Sequence, residues 1–299
     1  NDYLGFSVED EIKSNAQIMA EKYSNSASAS RLITGNNSLY DILEEKTAEL
    51  CGTQSALVFS SGYSANLGVI SALMKKGDLI IADKLSHSCI IEGAKLSGAD
   101  LIRFKHNDYQ NLEKIIYQKR SQYQNCLIVT ESVFSMDGDR ADLKRLKQIA
   151  QQNKCWLMAD FAHDSEHLNY DIDEKQIPDI VMGTYSKALA SFGGYIAGSK
   201  ALMDFLKNYA KTLIFSTALP PINLATSIAA IDFLKSNKHR INEVLGKAEY
   251  FKKLLSDSLD FTASDSQIVP IILEQEEKAL KLSQKLEDKG FIVHAIRPP

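Results

Sequence analysis

The stretch that decides the fold runs from residue 155 to residue 198. It contains three short apolar runs, CWLMAD at 155–160, DIVMG at 179–183 and YIAG at 195–198. Such runs, bounded by turn residues, are typical of strands buried on both faces of a parallel sheet. Ligands of these sheets bind at the carboxyl ends of the strands. The polar residues that follow the runs are therefore the first candidates for a functional site.

Three polar residues stand at these strand ends. Asp160 closes the first run, His163 follows it, and Lys187 lies just after the second run. A carboxylate could pair with the ring nitrogen of a cationic heteroaromatic ring, while a lysine forms a Schiff base with its aldehyde. That ring is pyridoxal phosphate. A strand-end Asp is also often a helix N-cap and a loop Lys is often only solvated, so the pair alone leaves both interpretations open.

Composition excludes several classes of protein. The 299 residues allow one large α/β domain with a smaller appendage, or two domains. A hydrophobic content of 44% and a charged content of 24% are ordinary for a soluble globular protein. The net charge of −4 and the lack of a Lys/Arg run argue against nucleic acid. No apolar run reaches membrane-spanning length and no signal peptide is found, so we expect no membrane partner.

Four cysteines lie far apart in the sequence, and no C-x-x-C motif occurs. Neither a zinc site nor a disulfide framework is indicated, and we expect no metal. Three of the cysteines lie in or beside apolar runs and are predicted to be small core residues, and we expect a reducing, cytoplasmic setting. The chain starts at NDYLG without an initiating Met and ends at RPP, so we expect it to be the trimmed part of something longer.

Strands and helices alternate across residues 56–210, which predicts a parallel or mostly parallel sheet with helices on both faces. The nucleotide-binding glycine motifs and the G-x-S-x-G motif are lacking, which counts against nucleotide-binding folds and α/β-hydrolases. From residue 223 the chain becomes more charged, and strands are predicted at 268–273 and 291–296. This pattern indicates a separate, smaller α+β domain.

Other candidate residues follow other predicted elements. FSSGY at 59–63 reads as a strand, a turn and a helix N-terminus, whose free N–H groups and dipole would suit a phosphate, although Ser61 could be only an N-cap. His87 follows a strand and is either a hydrogen-bonded structural residue or a ring stacked on a flat cofactor. Arg31 lies in the small-residue run 24–36, which is either a flexible surface loop or a loop close to a ligand. In the second case Arg31 would be an anion partner or a structural anchor.

Taken in order, these motifs make the sequence resemble the α-oxoamine synthases, a pyridoxal-phosphate-dependent family. The resemblance covers nearly the whole chain, and the motifs occur in one order at matching spacing. They are NDYLG at 1–5, SASRLITGN at 28–36, FSSGYSAN at 59–66, DKLSHS at 83–88, HND at 106–108, ESVFSMDGD at 131–139, DFAH at 160–163, TYSKAL at 184–189, FGGYIAG at 192–198, FSTALPP at 215–221 and AIRPP at 295–299.

The resemblance implies the aminotransferase fold type I, an α/β fold with a mostly parallel seven-stranded sheet, helices on both faces and a smaller C-terminal α+β domain. It implies an N-terminal segment at 1–35, a large cofactor-binding domain at 36–221 and a small domain at 222–299. It also implies an acyltransferase that condenses an amino acid with an acyl thioester and releases CO₂, as a homodimer with its site at the subunit interface. SASRLITGN and AIRPP are most similar to the biotin-pathway branch, which uses L-alanine and pimeloyl-CoA or a pimeloyl carrier protein.

Roles follow from the resemblance residue by residue. The expected catalytic residues are Lys187, which matches the Schiff-base lysine, Asp160, the partner of the pyridine nitrogen, and His87, stacked on the ring. His163 matches the donor to the ring's 3-oxygen. The remaining matches are backbone phosphate donors (Gly62, Tyr63), a hydroxyl phosphate donor (Thr184), a contact to the other subunit's phosphate (Thr217), a further cofactor contact (Ser135) and substrate contacts (Asn1, His87, Glu131).

The segment after His163 departs from the family pattern. DFAH is followed by DSEH where the family has a glycine-rich loop, and the stretch to Lys187 is shorter and more acidic. In the family this loop lies near the acyl-chain path, so the departure bears on the identity of the acyl donor. Two alternatives therefore stay open. One is a sister enzyme that uses glycine or serine with another acyl-CoA, and the other is a non-catalytic partner subunit. The presence of Lys187 counts against the second alternative.

Overall fold

The computed structural model describes residues 1–169, 177–257, 259, 264–273 and 275–297. Its centre is a seven-stranded sheet with the strand order β1-β7-β6-β5-β4-β2-β3. The strands are β1 (Ser55–Phe59), β2 (Leu79–Asp83), β3 (Asp100–Phe104), β4 (Cys126–Glu131), β5 (Trp156–Asp160), β6 (Ile180–Thr184) and β7 (Gly194–Gly198). The prediction of an α/β fold with a mostly parallel seven-stranded sheet is confirmed.

The strand β7, which belongs to the stretch 155–198, runs antiparallel, whereas the apolar pattern indicated a parallel strand. β7 is antiparallel to both of its neighbours, β1 and β6, whereas β2 to β6 pair in parallel. Only residues 185–193 join β6 to β7. A parallel crossover needs a connection of a dozen or more residues, usually a helix, so this short connection returns the chain antiparallel. An apolar run alone does not carry that information.

Helices cover both faces of the sheet. Alternate side chains of β1 enter different cores: Ala56 and Val58 pack with one cluster, and Leu57 and Phe59 with the other. The helices are α1 (Asp10–Ala20), α2 (Ser38–Leu50), α3 (Gly62–Leu73), α4 (Ser88–Ser97), α5 (Tyr109–Lys119), α6 (Leu143–Gln152), α7 (Lys200–Tyr209), α8 (Lys211–Ile214), α9 (Pro221–Ser236), α10 (His239–Leu255) and α11 (Glu276–Glu287). The first cluster contains side chains of α1, α2 and α9, and the second those of α3, α4 and α7.

The described C-terminal part contains the helices α10 and α11 and segments without regular secondary structure. Neither 268–273 nor 291–296 belongs to a strand in the described part of the chain, although both were predicted as strands. A strand exists through the ladder of hydrogen bonds to a neighbour, and these segments have no such ladder among the described residues. The division into three domains stays a prediction. No helix in the described ranges is long and apolar enough to span a membrane.

The small-residue run near the N-terminus is anchored by a buried ion pair. Arg31 Nη1 lies 2.5 Å from Glu44 Oε1, and only 11% of each side chain is exposed. The guanidinium also lies 3.9 Å from the centre of the Tyr40 ring, and Glu44 accepts a hydrogen bond from the Val58 amide at 2.9 Å. Arg31 is therefore a structural anchor that ties residues 31–35 to α2 and β1.

Replacing Glu44 tests this anchor. Glu44→Ala leaves the Arg31 guanidinium buried without its carboxylate, which costs about 3 kcal/mol or more. We expect the free energy of unfolding, measured by urea denaturation, to fall by that amount. Glu45→Ala is the matched control, because Glu45 is the exposed neighbour on the same helix. Equal losses in the two variants would contradict the anchor.

Candidate active site

Parallel strands bring the predicted polar residues to one edge of the sheet. Glu131 ends β4 and Asp160 ends β5, and the two residues are direct register partners. Asp160 in turn pairs with Met182 of β6, and Thr184 ends that strand. Because adjacent parallel strands end at the same edge, Glu131 and Asp160, which are 29 positions apart in the sequence, become neighbours here.

Lys187 and His163 meet at this edge. The Lys187 Nζ atom lies 2.7 Å from His163 Nε2. The other ring nitrogen of His163, Nδ1, lies 2.8 Å from the hydroxyl of Tyr3. The backbone oxygen of His163 accepts a hydrogen bond from Gln267 Nε2 at 2.6 Å. His163 is thus held by residues from both ends of the chain.

Asp160 is a buried carboxylate whose two oxygens both have donors. The Asn66 Nδ2 atom donates to Oδ2 at 2.9 Å, and the Ala162 amide donates to Oδ1 at 2.9 Å. Burial raises the pKa of Asp160, while the two donors and Lys187 act in the opposite direction. The Oδ1 atom of Asn66 is buried and has no partner among the described residues.

Glu131 holds the backbone of His87. Glu131 is 3% exposed, and its Oε1 accepts the His87 N–H at 2.6 Å. Burial and the neighbouring Asp160 raise the pKa of Glu131. The His87 side chain caps α4, because its Nδ1 accepts the Cys89 N–H at 3.2 Å. The remainder of the exposed His87 ring is free to contact a flat ligand.

Burial pushes the nitrogen bases of the site toward their neutral forms. The pKa of Lys187 is lowered by burial, against the opposing pull of Asp160 and Glu131. Burial, and then the charge of Lys187, lower the pKa of His163 to about 3. A neutral imidazole therefore faces an amine with a reduced proton affinity. Such an amine can act as a nucleophile or as a base.

The start of α3 forms a cradle for an anion. The first N–H groups of a helix have no partner within it, and Gly62 and Tyr63 supply them here. A Cβ atom at Gly194 would lie 2.5 Å from the Gly62 nitrogen, so only glycine leaves this approach open. Thr184 lies beside it, and its hydroxyl donates to the Gly193 carbonyl at 2.8 Å.

Three expected site residues lie outside this hydrogen-bonded cluster. Asn1 is exposed, and its Oδ1 lies 3.5 Å from the Tyr3 hydroxyl, at its periphery. Ser135 is half-buried on the loop after β4, and Thr217 is exposed and bridges Ser30 through its backbone. Within the described ranges, no hydrogen bond joins Ser135 or Thr217 to the cluster.

Sequence reasoning assigned no role to several residues that the fold brings to the site. Tyr3 and Asn66 lie inside the NDYLG and FSSGYSAN motifs, so the motifs contained a signal for them. Cys89 lies between His87 Nδ1, at 2.9 Å from its sulfur, and Asn66 Nδ2, at 3.0 Å. Gln267 contacts a residue 104 positions away, and the sequence contained no signal for it.

The start of the departing segment is folded tightly onto the sheet. Asp164 pairs with Arg140 at 3.2 Å. His167 is buried, with Nδ1 at 2.7 Å from the Asp164 carbonyl and Nε2 at 3.0 Å from the Tyr195 hydroxyl. The polar side chains here are thus partnered in the core. Residues 170–176 of this segment, and Pro298 and Pro299 of the AIRPP motif, lie outside the described residues.

These residues fit pyridoxal phosphate by the chemistry of their donors. Asp160 is a buried carboxylate that would gain a cationic partner in a protonated ring nitrogen. Lys187 supplies an amine for an aldehyde, and the start of α3 supplies N–H groups for a phosphate. The buried Oδ1 of Asn66, beside Asp160, has no donor among the described residues and could accept one.

The lowered pKa of His163 predicts a pH-dependent stability. In the unfolded chain the imidazole takes up a proton below about pH 6.5, whereas in the folded protein it does so only near pH 3. The contribution of neutral His163 to the free energy of unfolding is therefore fully present above pH 6.5 and is lost as the pH falls toward 3. We expect the loss of unfolding free energy from pH 7 to pH 4 to be smaller in His163→Asn. The control is His239→Asn on exposed α10, and an unchanged pH dependence in His163→Asn would contradict the prediction.

Comparisons with known proteins agree with this geometry. The family model for aminotransferase class I and II matches residues 1–299. The chain is 39% identical over 305 residues to 8-amino-7-oxononanoate synthase of Beijerinckia indica, covering all of this chain and 78% of that protein. Two solved structures are similar at 28% identity over the whole chain. They are a serine palmitoyltransferase of Sphingomonas wittichii (TM-score 0.92, 77% of its length) and an 8-amino-7-oxononanoate synthase of Francisella tularensis (TM-score 0.81, 87% of its length).

The match of the family model spans the whole chain, and the strand ends place an amine, two carboxylates and an anion cradle together. The identity to the Beijerinckia indica synthase extends over that same span. The chain belongs to the aminotransferase class I and II family.

Proposed function

We propose that the protein condenses L-alanine with a pimeloyl thioester, pimeloyl-CoA or pimeloyl carrier protein, to give 8-amino-7-oxononanoate and CO₂ in biotin biosynthesis. The observation that supports this most is the contact of the Lys187 amine with His163 beside the buried Asp160. Relatives named 8-amino-7-oxononanoate synthase at about 40% identity support the choice of reaction. The enzyme uses pyridoxal 5′-phosphate, which the solved serine palmitoyltransferases also bind.

Lys187 has two tasks in this proposal. Pyridoxal phosphate supplies an aldehyde that captures an amine and a protonated ring that withdraws electrons from the adjacent carbon. Lys187 Nζ would hold that aldehyde in the resting enzyme. As a free amine, Nζ would accept the proton from the alanine Cα. Burial lowers the pKa of Lys187, so a larger fraction of the amine is free to accept this proton.

Asp160 would hold the cofactor ring in its protonated form. Its carboxylate is fixed by Asn66 and by the Ala162 amide, so it does not have to reorganise when a cation arrives. His87 would cover one face of the ring, with its backbone fixed by Glu131. His163 would donate to the ring's 3-oxygen.

The substrate and phosphate contacts are proposed on the same grounds. Gly62, Tyr63 and Thr184 would bind the phosphate at the start of α3, and Ser135 would contact the cofactor. Asn1 and Glu131 would contact the substrate: Asn1 is exposed beside Tyr3, and Glu131 holds the backbone of His87. The four cysteines are buried and free, which supports a reducing, cytoplasmic setting.

A homodimer with shared sites is part of the proposal. Large apolar side chains are exposed at the start of α3, in residues 31–35, in the connection 185–193 and after α8: Tyr63 is 50% exposed, Ile33 75%, Phe192 51% and Phe215 80%. Exposed apolar patches of this kind mark protein interfaces. Thr217 lies in the same region and is itself exposed, so it would reach the phosphate of the other subunit.

A sister reaction is the second candidate. The serine palmitoyltransferase structure superposes with a TM-score of 0.92, against 0.81 for the 8-amino-7-oxononanoate synthase. Enzymes with different names thus share a backbone similar to that of this chain. An enzyme that uses glycine or serine with another acyl-CoA is therefore the alternative. A non-catalytic subunit is disfavoured, because Lys187 contacts His163 in an intact cluster.

The visible spectrum decides between the amino acids. L-alanine, glycine and L-serine are added in turn to the purified, cofactor-loaded protein. We expect the absorption band to respond to alanine most and to glycine least. Lys187→Ala should abolish turnover with alanine and pimeloyl-CoA, because the base at the Cα proton is then lost.

Lys114→Ala serves as the control, because it removes an exposed lysine of α5 and leaves Lys187 in place. A band that responds mainly to glycine or serine would contradict the alanine assignment and keep the family chemistry. Turnover that survives Lys187→Ala would overturn the role of Lys187.

The proposed interface predicts a change of molecular mass. Phe215→Glu places a charge in a patch that a dimer would bury, and we expect monomers in light scattering after size-exclusion chromatography. Tyr117→Glu is the matched control, because Tyr117 is 90% exposed on α5, whose buried side chains Leu112 and Ile116 pack in a different core cluster from those of α3. Dimers of unchanged stability in Phe215→Glu would contradict this interface.

A further inference from the structure

We propose that His106 is a positioning residue for the cofactor. Its ring joins the turn that leads to His87 and the turn that carries Ser135, and it thereby sets how tightly the protein holds pyridoxal phosphate. The inference rests on the proposed function, since it concerns two residues that are proposed to contact this cofactor. The proposed function uses no residue of the HND motif at 106–108, which His106 begins.

The His106 ring lies between two carboxylates. Its Nδ1 is 3.0 Å from Asp83 Oδ1, and its Nε2 is 2.8 Å from Asp139 Oδ2. Asp83 ends β2 and its side chain is fully buried, whereas Asp139 lies on the loop after β4. Asp83, His106 and Asp139 form what we call the His106 clamp, which connects the exits of two neighbouring strands.

Other contacts fix both carboxylates as acceptors. Asp83 Oδ1 accepts the Leu85 N–H at 2.8 Å, and its Oδ2 accepts the Asn107 N–H at 3.0 Å. Asp139 Oδ2 accepts from Asn107 Nδ2 at 2.7 Å, and this Nδ2 also donates to a backbone carbonyl at 3.1 Å. An ionised carboxylate only accepts, so each ring nitrogen of His106 has to donate. The ring therefore carries a proton on both nitrogens and is a cation.

The electrostatics of the clamp agree with this charge. Burial lowers the pKa of His106, but the hydrogen bonds and charges of Asp83 and Asp139 outweigh it, so that the pKa is raised above 6.5. Neighbouring polar groups are directed elsewhere. The Tyr109 hydroxyl of α5 donates to Asn107 Oδ1 at 3.2 Å.

The nearby cation Arg140 does not replace His106 in the clamp. Its Nη1 pairs with Asp164 at 3.2 Å, and its Nε lies 3.7 Å from Asp265. The positive charge in contact with both carboxylates of the clamp thus comes from the His106 ring.

The Asp139 side of the clamp fixes the turn that carries Ser135. The Phe134 N–H donates to the Asp139 carbonyl at 3.0 Å, which closes the turn 134–139. The Phe134 ring packs edge-on against His106, with 4.4 Å between the ring centres. His106 therefore holds both ends of this turn. The second oxygen of Asp139, Oδ1, is buried and has no partner among the described residues, so this carboxylate depends on its donors at Oδ2.

The Asp83 side of the clamp fixes the turn before His87. Asp83 Oδ1 accepts the Leu85 N–H, and the Asp83 carbonyl accepts the Ser86 N–H at 3.1 Å. His87 is the next residue along the chain. A carboxylate that is held by the His106 ring thus sets the path of the backbone up to His87.

Loss of the positive charge would open the clamp on one side. A neutral imidazole has one N–H, so it can donate to Asp83 or to Asp139 but not to both. The other carboxylate would then face a lone pair, and a poorly solvated charge that loses its partner is destabilised. We expect the turn on that side to relax, and the cofactor contacts of His87 or Ser135 to weaken.

NMR of the protein labelled with ¹³C-histidine tests the charge. The ring signals are followed from about pH 5 to pH 9 without cofactor, and contact with the Phe134 ring protons identifies His106. We expect His106 to titrate above pH 6.5, so the clamp is fully charged below that pH and is lost as the pH rises through the raised pKa. Asp139→Asn removes one carboxylate and should lower the pKa of His106 by about 1.

His106→Gln tests the effect on the cofactor. We expect its affinity for pyridoxal phosphate, measured by spectroscopic titration at about pH 6, to be about tenfold weaker than that of the unchanged protein. This ratio of affinities should shrink as the pH rises through the pKa of His106, because the unchanged protein then loses its clamp as well. The ratio removes the pH dependence of Lys187, which both proteins share. His239→Gln on α10 is the control, because His239 is 61% exposed, and it should match the unchanged protein at every pH.

A His106 signal that titrates at or below pH 6.5, or an unchanged cofactor affinity in His106→Gln, would overturn the inference. A weaker affinity whose ratio stays constant with pH would mean a packing role only and would overturn it as well. If His106→Gln does not fold, Asp139→Asn replaces it in the affinity measurement. The proposed function fails by a different result, turnover that survives Lys187→Ala. Neither the NMR nor the cofactor titration depends on the amino acid or the thioester.

Discussion

The site depends on the burial of two carboxylates beside one amine at the end of three parallel strands. Asp160 and Glu131 are direct register partners, and both are almost fully buried. Two carboxylates this close in a poorly solvated place disfavour each other's charge, and burial raises the pKa of each. Lys187 lies beside them, and burial lowers its pKa against the opposing influence of the two carboxylates. A protonated cofactor ring would add a positive charge beside the two carboxylates.

Neutral hydrogen-bonding groups tune this charge balance. Asn66 and the Ala162 amide stabilise the Asp160 carboxylate without adding charge, and the His87 amide does the same for Glu131. His163 contributes as a neutral ring, because burial lowers its pKa. The site therefore combines fixed dipoles with few net charges. Preorganised dipoles of this kind need little rearrangement when charge develops in a reaction.

The segment that starts at Asp164 places polar side chains in the core beside the site. His167 and Asp164 carry polar groups into the core, yet His167 is satisfied by the Asp164 carbonyl and the Tyr195 hydroxyl, and Asp164 by Arg140. A buried polar group costs little when it has its partners and much when it has none. The buried Asp164 and His167 side chains are therefore compatible with the packing beside His163.

The sequence by itself determined the sheet, the helices and the strand-end residues Asp160, His163 and Lys187, because the periodicity of apolar residues and the turn residues between them act over short distances. It also carried the motifs of the family. It did not determine that β7 runs antiparallel, which follows from the short connection after β6. Nor did it indicate the contacts of Tyr3 and Gln267 with His163. Such contacts join residues more than 100 positions apart, and only the packing of the folded chain decides which distant side chains meet.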